Sequence, residues 1–387
     1  MFDIDVKGLA ELEGGKPPHR LAFEPVANVF DECRGYGDAE RRKPSYCAVT
    51  FRHSSNPRGV YLTVADDGAG FAQERDIWTF FGTTSKRADV GVAGRFNCGD
   101  KQLLALARSG IVKTNKVTVE FANGERKVTR HREPVVNGTI IEVLMPWSQN
   151  DLRLIRDQLC SVIPPADLKY TVDGATIGRP TAKVTVNVKL PTVALIDGVV
   201  KDTERNSNVT VLATEKEPLL CELGMPICSL AEVGFPWTLD VQQKVPLPIS
   251  RDMVRTSYLT RLIGSVVEQA AIAKHALLTE EQQGAGFIKE ALEWVRHPVA
   301  LAATISSLYG ENAVRQSNDT IANANAASAG ATIISGRSFG LKTRNLLDAE
   351  KILPTSKSRF GGAEQVPSQT PEVRSIVCPK CDGTGVI

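Results

Sequence analysis

The sequence predicts an α+β fold, with helices and hairpin-linked strands rather than repeated βαβ units. Three observations carry this. A helical pattern over about Arg20–Cys33 precedes the first strand-like run. The strands that follow are joined by tight turns, such as Ser54-Ser55-Asn56-Pro57-Arg58-Gly59 and Asn123-Gly124. After Glu311 the composition shifts to Asn, Ala and Ser.

A chain of 387 residues is long enough for two domains and a tail. Its 42% apolar and 23% charged residues are ordinary for a globular protein. A net charge of +2 provides no global field toward nucleic acid or membrane. No apolar run is long enough to span a bilayer, and Met1-Phe2-Asp3-Ile4-Asp5 lacks the apolar core of a signal peptide. The expected location is therefore cytoplasmic, with no membrane partner. The eight cysteines, scattered except for one pair near the C-terminus, are expected to be reduced thiols.

Residues 1–20 read as an extended lead-in ending at Pro17-Pro18. In the helix that follows, Leu21, Val26, Val29, Phe30 and Cys33 form an apolar face. Glu24, Asn28 and Asp31 fall at i, i+4 and i+7 on another stripe. That stripe is either a solvated polar face or a set converging on one ligand. In the second case Asn28 offers a neutral oxygen to magnesium, and Glu24 can orient or deprotonate a water. Tyr46–His53 and Gly59–Ala65 read as an antiparallel hairpin. The second strand runs into Asp66-Asp67-Gly68-Ala69-Gly70-Phe71, two acids and two glycines at a strand end. Alone it is an ordinary turn motif; its acid can equally accept from a ligand amino group.

Glu74–Phe81 reads as a short helix, and Gly82–Arg87 as a polar segment containing Thr84 and Lys86. The glycine-rich stretch Gly91–Lys101 then opens a helix over Gln102–Arg108. Such a turn presents free N–H groups to an anion, with Lys101 in reach of a phosphate; otherwise it is a surface loop. It is neither a Walker loop nor a Rossmann fingerprint. Ile111–Arg132 suits two or three strands, and Asn137-Gly138 turns into a strand that starts at Thr139.

Glu24-x-x-x-Asn28-x-x-Asp31, Asp66-x-Gly68-x-Gly70, Gly94-x-Phe96-x-x-Gly99-x-Lys101 and Gly138-Thr139 stand in a fixed order. As a set, over roughly residues 20–147, they resemble the GHKL ATPase superfamily of gyrase B, heat-shock chaperones, histidine kinases and MutL. The resemblance implies a Bergerat-type α/β sandwich with ATP between helices and sheet under a mobile lid. It implies that Glu24 is the general base, Asn28 the magnesium ligand, and Asp31 a neighbour of the nucleotide. It gives Asp66 the adenine amino group, with Gly68 and Gly70 allowing close approach and Thr139 supporting recognition. Gly94, Gly99 and Lys101 correspond to the phosphate end of the lid, and Thr84 and Lys86 fall within the lid. Asn97 departs from the pattern: relatives carry glycine there, so lid mobility and hydrolysis rate depend on how Asn97 turns.

Residues 151–278 hold strand-like stretches at Lys183–Leu190, Val193–Val200 and Asn208–Thr214 and a helix from Thr256 to Leu278, and between them Asp240–Asp252, with Gln242-Gln243-Lys244, resembles the ribosomal S5-like transducer domain of gyrase, MutL and the chaperones. That resemblance implies that Lys244, or Arg251 nearby, reaches the γ-phosphate. The expected domains are 1–150 for ATP binding, 151–278 as transducer, 279–310 as a helical extension, and 311–377 as a low-complexity linker. Residues 378–387 carry a single Cys378-Pro-Lys-Cys381-Asp-Gly-Thr-Gly motif, similar to one zinc-binding repeat of DnaJ proteins. Zinc wants four ligands, so the pair Cys378 and Cys381 either completes a site with a second copy or partner, or is a free or redox-active dithiol.

The implied function is magnesium-dependent ATP hydrolysis by an ATP-gated homodimeric clamp acting on a protein client. It is either chaperone-like or works in DNA metabolism as topoisomerases and MutL do. The near-neutral charge neither supports nor excludes DNA contact. The alternative is a nucleotide-sensing adaptor with little turnover. A histidine kinase is disfavoured, because residues 1–20 hold only His19, next to a Pro-Pro break.

Overall fold

Helix α1 (Pro18–Cys33) begins on a proline in its first turn, where the missing N–H is not needed. It buries Leu21, Ala22, Phe23, Val26, Val29 and Phe30. A second proline, Pro25, lies inside the helix and leaves the Leu21 carbonyl without its ladder donor. The computed structural model describes residues 17–35, 41–80, 91–94, 99–196, 199–247, 254–273, 277 and 286–361. The chain divides into two compact units, Met1–Ala300 and Leu301–Ile387.

In the first unit, β1 (Tyr46–Ser55), β2 (Arg58–Asp66), β3 (Ser109–Thr114), β4 (Val117–Ala122), β5 (Glu125–Arg130), β6 (Thr139–Met145), β7 (Lys169–Val172) and β8 (Ala175–Thr176) form one mixed sheet. Their order is β5-β4-β3-β6-β2-β1-β7-β8. All pairs are antiparallel except β1–β7. Asn123 and Gly124, both at positive φ (54° and 77°), make the expected hairpin turn between β4 and β5. Alternate residues of β2, namely Val60, Leu62 and Val64, face a core that also holds α1, Leu103 and Leu104 of α2 (Gly99–Leu106), and Leu152, Ile155 and Leu159 of α3 (Gln149–Leu159). Ser148 caps α3 through a capping box with Asp151. The expected short helix after Phe71 is a single 3-10 turn, Glu74–Ile77.

The first sheet does not stop at the boundary expected near residue 150. After α3 the chain returns as β7 and β8 beside β1, and Tyr170 is fully buried edge-on to Phe30 at 5.5 Å.

A second sheet of the same unit has the order β12-β11-β13-β10-β9. Its strands are β9 (Ala182–Ile196), β10 (Val199–Leu212), β11 (Leu219–Glu222), β12 (Met225–Ser229) and β13 (Thr238–Val241). Where the spacing predicts two strands on either side of Pro191, the structure has one 15-residue strand. Strand β9 lies at the sheet edge, where proline's missing donor is tolerated. The polar stretch Lys201–Asn208 pairs residue for residue with β9. Glu204 there meets both Lys189, at 3.7 Å, and Arg261, at 2.6 Å. Arg261 belongs to α4 (Thr256–Ile272), which packs against this sheet and ends earlier than expected. Next come α5 (Gly286–Ala291), a 3-10 turn (Leu292–Trp294), and α6 (Pro298–Tyr309), which runs across the division between the units.

The second unit overturns the expectation of a linker from residue 311. It contains β14 (Val314–Arg315), α7 (Thr320–Ser328), β15 (Ile333–Ile334), α8 (Leu341–Ala349) and α9 (Ser356–Phe360). Small residues do the packing: Ala322 and Ala326 are buried with Phe339, Leu347 and Leu353. The buried Ser356 hydroxyl bonds Ser317 Oγ at 2.8 Å and Asn323 Oδ1 at 2.5 Å. Residues 378–387 lie outside the described residues. Among the described residues, no helix is long and apolar enough to cross a membrane.

Candidate functional site

The site is built where the end of β2 meets α1. Asp66 is the last residue of β2, paired with Thr139 at the start of β6, and both are buried. Its Oδ1 accepts from Gly68 N–H at 2.8 Å, the short-range turn bond expected of an Asp-x-Gly tip. Burial pushes the Asp66 carboxyl up to about 7. The backbone N–H groups of Gly68 and Thr139 oppose the rise, and the negative charges of Glu32 and Asp67 add to it. Asp67 has a different task. Its carboxylate accepts from Ser45 N–H (2.7 Å), Ser45 Oγ (2.5 Å) and Tyr46 N–H (3.1 Å), fixing the start of β1. Burial raises the Asp67 carboxyl, but these bonds outweigh it and hold the group below its ordinary range.

The two glycines nearest the tip are demanded by geometry. Gly70 has φ +76°, and a methyl there would collide with Thr114 Oγ1 and come 2.8 Å from Asn115 Nδ2. Gly138 has φ +110°, and a methyl there would run into the Asp66 carbonyl. Thr114 Oγ1 accepts from Phe71 N–H at 3.1 Å, and Asn115 Nδ2 donates to the Ala69 carbonyl at 3.1 Å. The tip is thus held by β3 as well as by its own strand.

Helix α1 lies across from this tip, and three of its acids each meet a different segment. The Glu24 carboxylate rests against the backbone of Gly99, where α2 starts, a favourable place for negative charge. Asp31, with none of its surface exposed, accepts from Ala93 N–H at 2.7 Å and Gly94 N–H at 3.0 Å. Glu32 pairs with Arg41 at 2.8 Å, and its carboxylate lies beside Gly68. Arg41 also donates to the Gly70 carbonyl, and Arg42 to the Gly68 carbonyl, both at 2.6 Å. Asn28 sits half-buried one turn beyond Glu24. A single amide oxygen beside a carboxylate suits magnesium, which keeps most of its waters.

The expected phosphate cation is otherwise engaged. Lys101 is 3% exposed, paired with the equally buried Asp100 at 2.9 Å, and 5.7 Å from the centre of the Phe71 ring. Lys244 is 1% exposed in the second-sheet region, where its carbonyl accepts from Thr192 Oγ1 at 2.7 Å. Next to it Val245 N–H donates to the buried Glu222. Thr84, Lys86, Asn97, Arg251, Cys378 and Cys381 lie outside the described residues. Among the described residues, no group of three His, Cys, Asp or Glu side chains is arranged to hold a metal. The described cysteines, Cys33, Cys47, Cys160, Cys221 and Cys228, are free thiols.

Of the residues expected at the site, Asp66 and Thr139 pair at the strand end, and Glu24, Asn28 and Asp31 lie on the facing helix. Local sequence patterns do not mark Glu32, Arg41, Arg42, Thr114 and Asn115 as their neighbours. The Arg41-Arg42-Lys43 run was the one visible signal for the clamp on the tip.

The sequence matches no protein-family model and no curated protein. Among solved structures, the ATPase region of Saccharomyces cerevisiae topoisomerase II bound to ICRF-187 (dexrazoxane) overlaps 53% of this chain and 60% of that one. The identity is 11% and the TM-score 0.34, too loose an overlap to transfer any residue role.

Proposed function

We propose that this protein binds ATP with magnesium between α1 and the end of β2, and hydrolyses it. The observation that carries the reading is the buried Asp66 carboxyl at a strand tip, faced by a helix that presents Glu24 and Asn28 beside the start of α2. The ordered motif set of the sequence supports it independently. Asp66, with Thr139, takes the adenine amino group, and Gly70 leaves room for the base. Asn28 would hold a magnesium ion through its amide oxygen, and that ion would offset phosphate charge. Backbone N–H groups at the start of α2 meet the phosphates. Glu24, one turn from Asn28, orients a water and takes its proton. The finer reading is an ATP-gated homodimeric clamp, in which Lys244 and Arg251 sense the terminal phosphate and Thr84 and Lys86 belong to a lid.

The test is steady-state ATPase turnover with a sizing run, with and without a non-hydrolysable ATP analogue. Glu24→Ala is expected to lose turnover by about 10²-fold or more while keeping nucleotide affinity. Undiminished turnover in that variant removes Glu24 as the base. Dimerisation on adding the analogue supports the clamp. Binding by the wild type without turnover leaves the nucleotide-sensing adaptor.

A further inference from the structure

A cleft of about 300 Å³ opens at the other end of α1, away from Glu24 and Asn28. Arg34, the residue after the helix, forms part of its wall, with Lys43, Asp167, Arg179, Asp240 and Gln242. Arg34 Nη2 donates to the Leu223 carbonyl at 2.5 Å, which locks the guanidinium in place. Its Nη1 is buried and has no hydrogen-bond partner. A buried, charged donor without an acceptor is costly, and native structures resolve it with ordered water, an ion or a ligand.

Neither acid of the cleft is hydrogen-bonded to Arg34 Nη1. Asp240 is 2% exposed, and its two oxygens accept from Gly224 N–H at 2.7 Å and Gln242 Nε2 at 2.6 Å. Asp167 stands at the exposed rim. Arg179 is also exposed and uses Nη1 on the Pro164 carbonyl at 2.5 Å, leaving the rest of its fork to the cleft. Lys43 is exposed as well, with Nζ close to Gly35. Among the described residues, the cleft's wall thus carries three cations, Arg34, Lys43 and Arg179, and two acids, Asp167 and Asp240, while the charges of Asp31 and Asp240 also act on Arg34.

We propose that this cleft binds a small oxyanion, the phosphate or carboxylate group of a small molecule, at a site separate from the nucleotide pocket. Guanidinium forks match the oxygen spacing of both groups, and the volume lies at the small end of ligand pockets. The ion bridges the end of α1, through Arg34, to the segment after β8, through Arg179.

The experiment is calorimetric titration of the full chain with inorganic phosphate, and separately with acetate, at fixed ionic strength. Dissociation constants near 1 mM are expected for phosphate, for acetate or for both, and the stronger of the two assigns the oxyanion. Arg34→Met is expected to abolish binding. Because Arg34 also supports Leu223, the exposed Arg179→Ser provides the second variant, and a weakening of about tenfold is expected there. A saturating non-hydrolysable ATP analogue is expected to leave phosphate binding unchanged. The proposal is overturned by the absence of heat with both anions up to about 20 mM, by wild-type affinity in both Arg34→Met and Arg179→Ser, or by loss of binding when the analogue is present.

Discussion

Replacing Asp66 with asparagine is expected to make the free protein more stable while weakening its hold on ATP. The burial that raises this carboxyl to about 7 means that ionising it inside the fold is costly. Against an unfolded value near 3.9, the rise is about 3 units, or about 4 kcal/mol at 1.36 kcal/mol per unit. The sign follows from proton uptake. Between about pH 4 and 7 the folded state holds a proton that the unfolded state has lost. This group's stabilising contribution is therefore complete below about pH 4 and is lost as pH rises through 7. Asparagine keeps an oxygen for the Gly68 N–H and never ionises. Its amide N–H₂ needs an acceptor, which takes back about 1–2 kcal/mol, so a net gain of about 2 kcal/mol at pH 8 remains. Urea denaturation of both proteins at pH 5 and pH 8 measures it; the gain should appear at pH 8 and shrink toward pH 5. In the wild type, carbon-13 NMR of the Asp66 carboxyl should show a midpoint near 7 that falls when ATP binds. ATP affinity should drop about tenfold from pH 8 to pH 6, as the ionised fraction does for a group titrating near 7. A midpoint below 5 in the free protein would refute the burial argument. A midpoint unmoved by nucleotide would refute the adenine contact.

Two further outcomes are expected. His19, held down to about 4 by burial and by the charge of Arg20, stays neutral in the fold while the unfolded state protonates near 6.5. Its contribution is present above about pH 6.5 and lost as pH falls through 4, and solvent screening of this half-exposed ring keeps it small. His19→Gln should therefore flatten the acid limb of a stability profile, and an unchanged limb would dismiss the assignment. Gly138→Ala, forced against the Asp66 carbonyl at φ +110°, should cost at least about 1–3 kcal/mol in denaturation and weaken ATP binding together. Full stability with full affinity would show that the tip adapts without glycine there.

What the sequence disclosed and what it hid divide along physical lines. The periodicity of α1 and the Asn123-Gly124 turn are local, so both could be read directly. The acids of the site were visible because Asp-x-Gly-x-Gly and a polar helical stripe are short-range patterns. The bonds from Asp31 to Ala93 and Gly94 span more than sixty residues, and no local signal marks them. Lys101 was legible as a cation but not as the buried partner of its neighbour Asp100, because sequence does not report burial. The stretch from 311 to 361 reads as low complexity because alanine, serine and asparagine are common in linkers. Here they pack closely through Ala322 and Ala326 and bond through Ser356 and Asn323. The polar residues of β10 masked a strand whose partner is an edge, where alternating apolar residues are not required.

Pro25 divides α1 into two stretches tied to different parts of the fold. The freed Leu21 carbonyl removes one rung from the ladder, at the point where Glu24 sits. On one side of that missing rung is Arg20, which donates to the carbonyls of Pro226 and Ile227 in β12. On the other are Asn28 and Asp31, the latter tied to Ala93 and Gly94. The missing rung thus falls between the stretch of the helix anchored to β12 and the stretch anchored to Ala93 and Gly94.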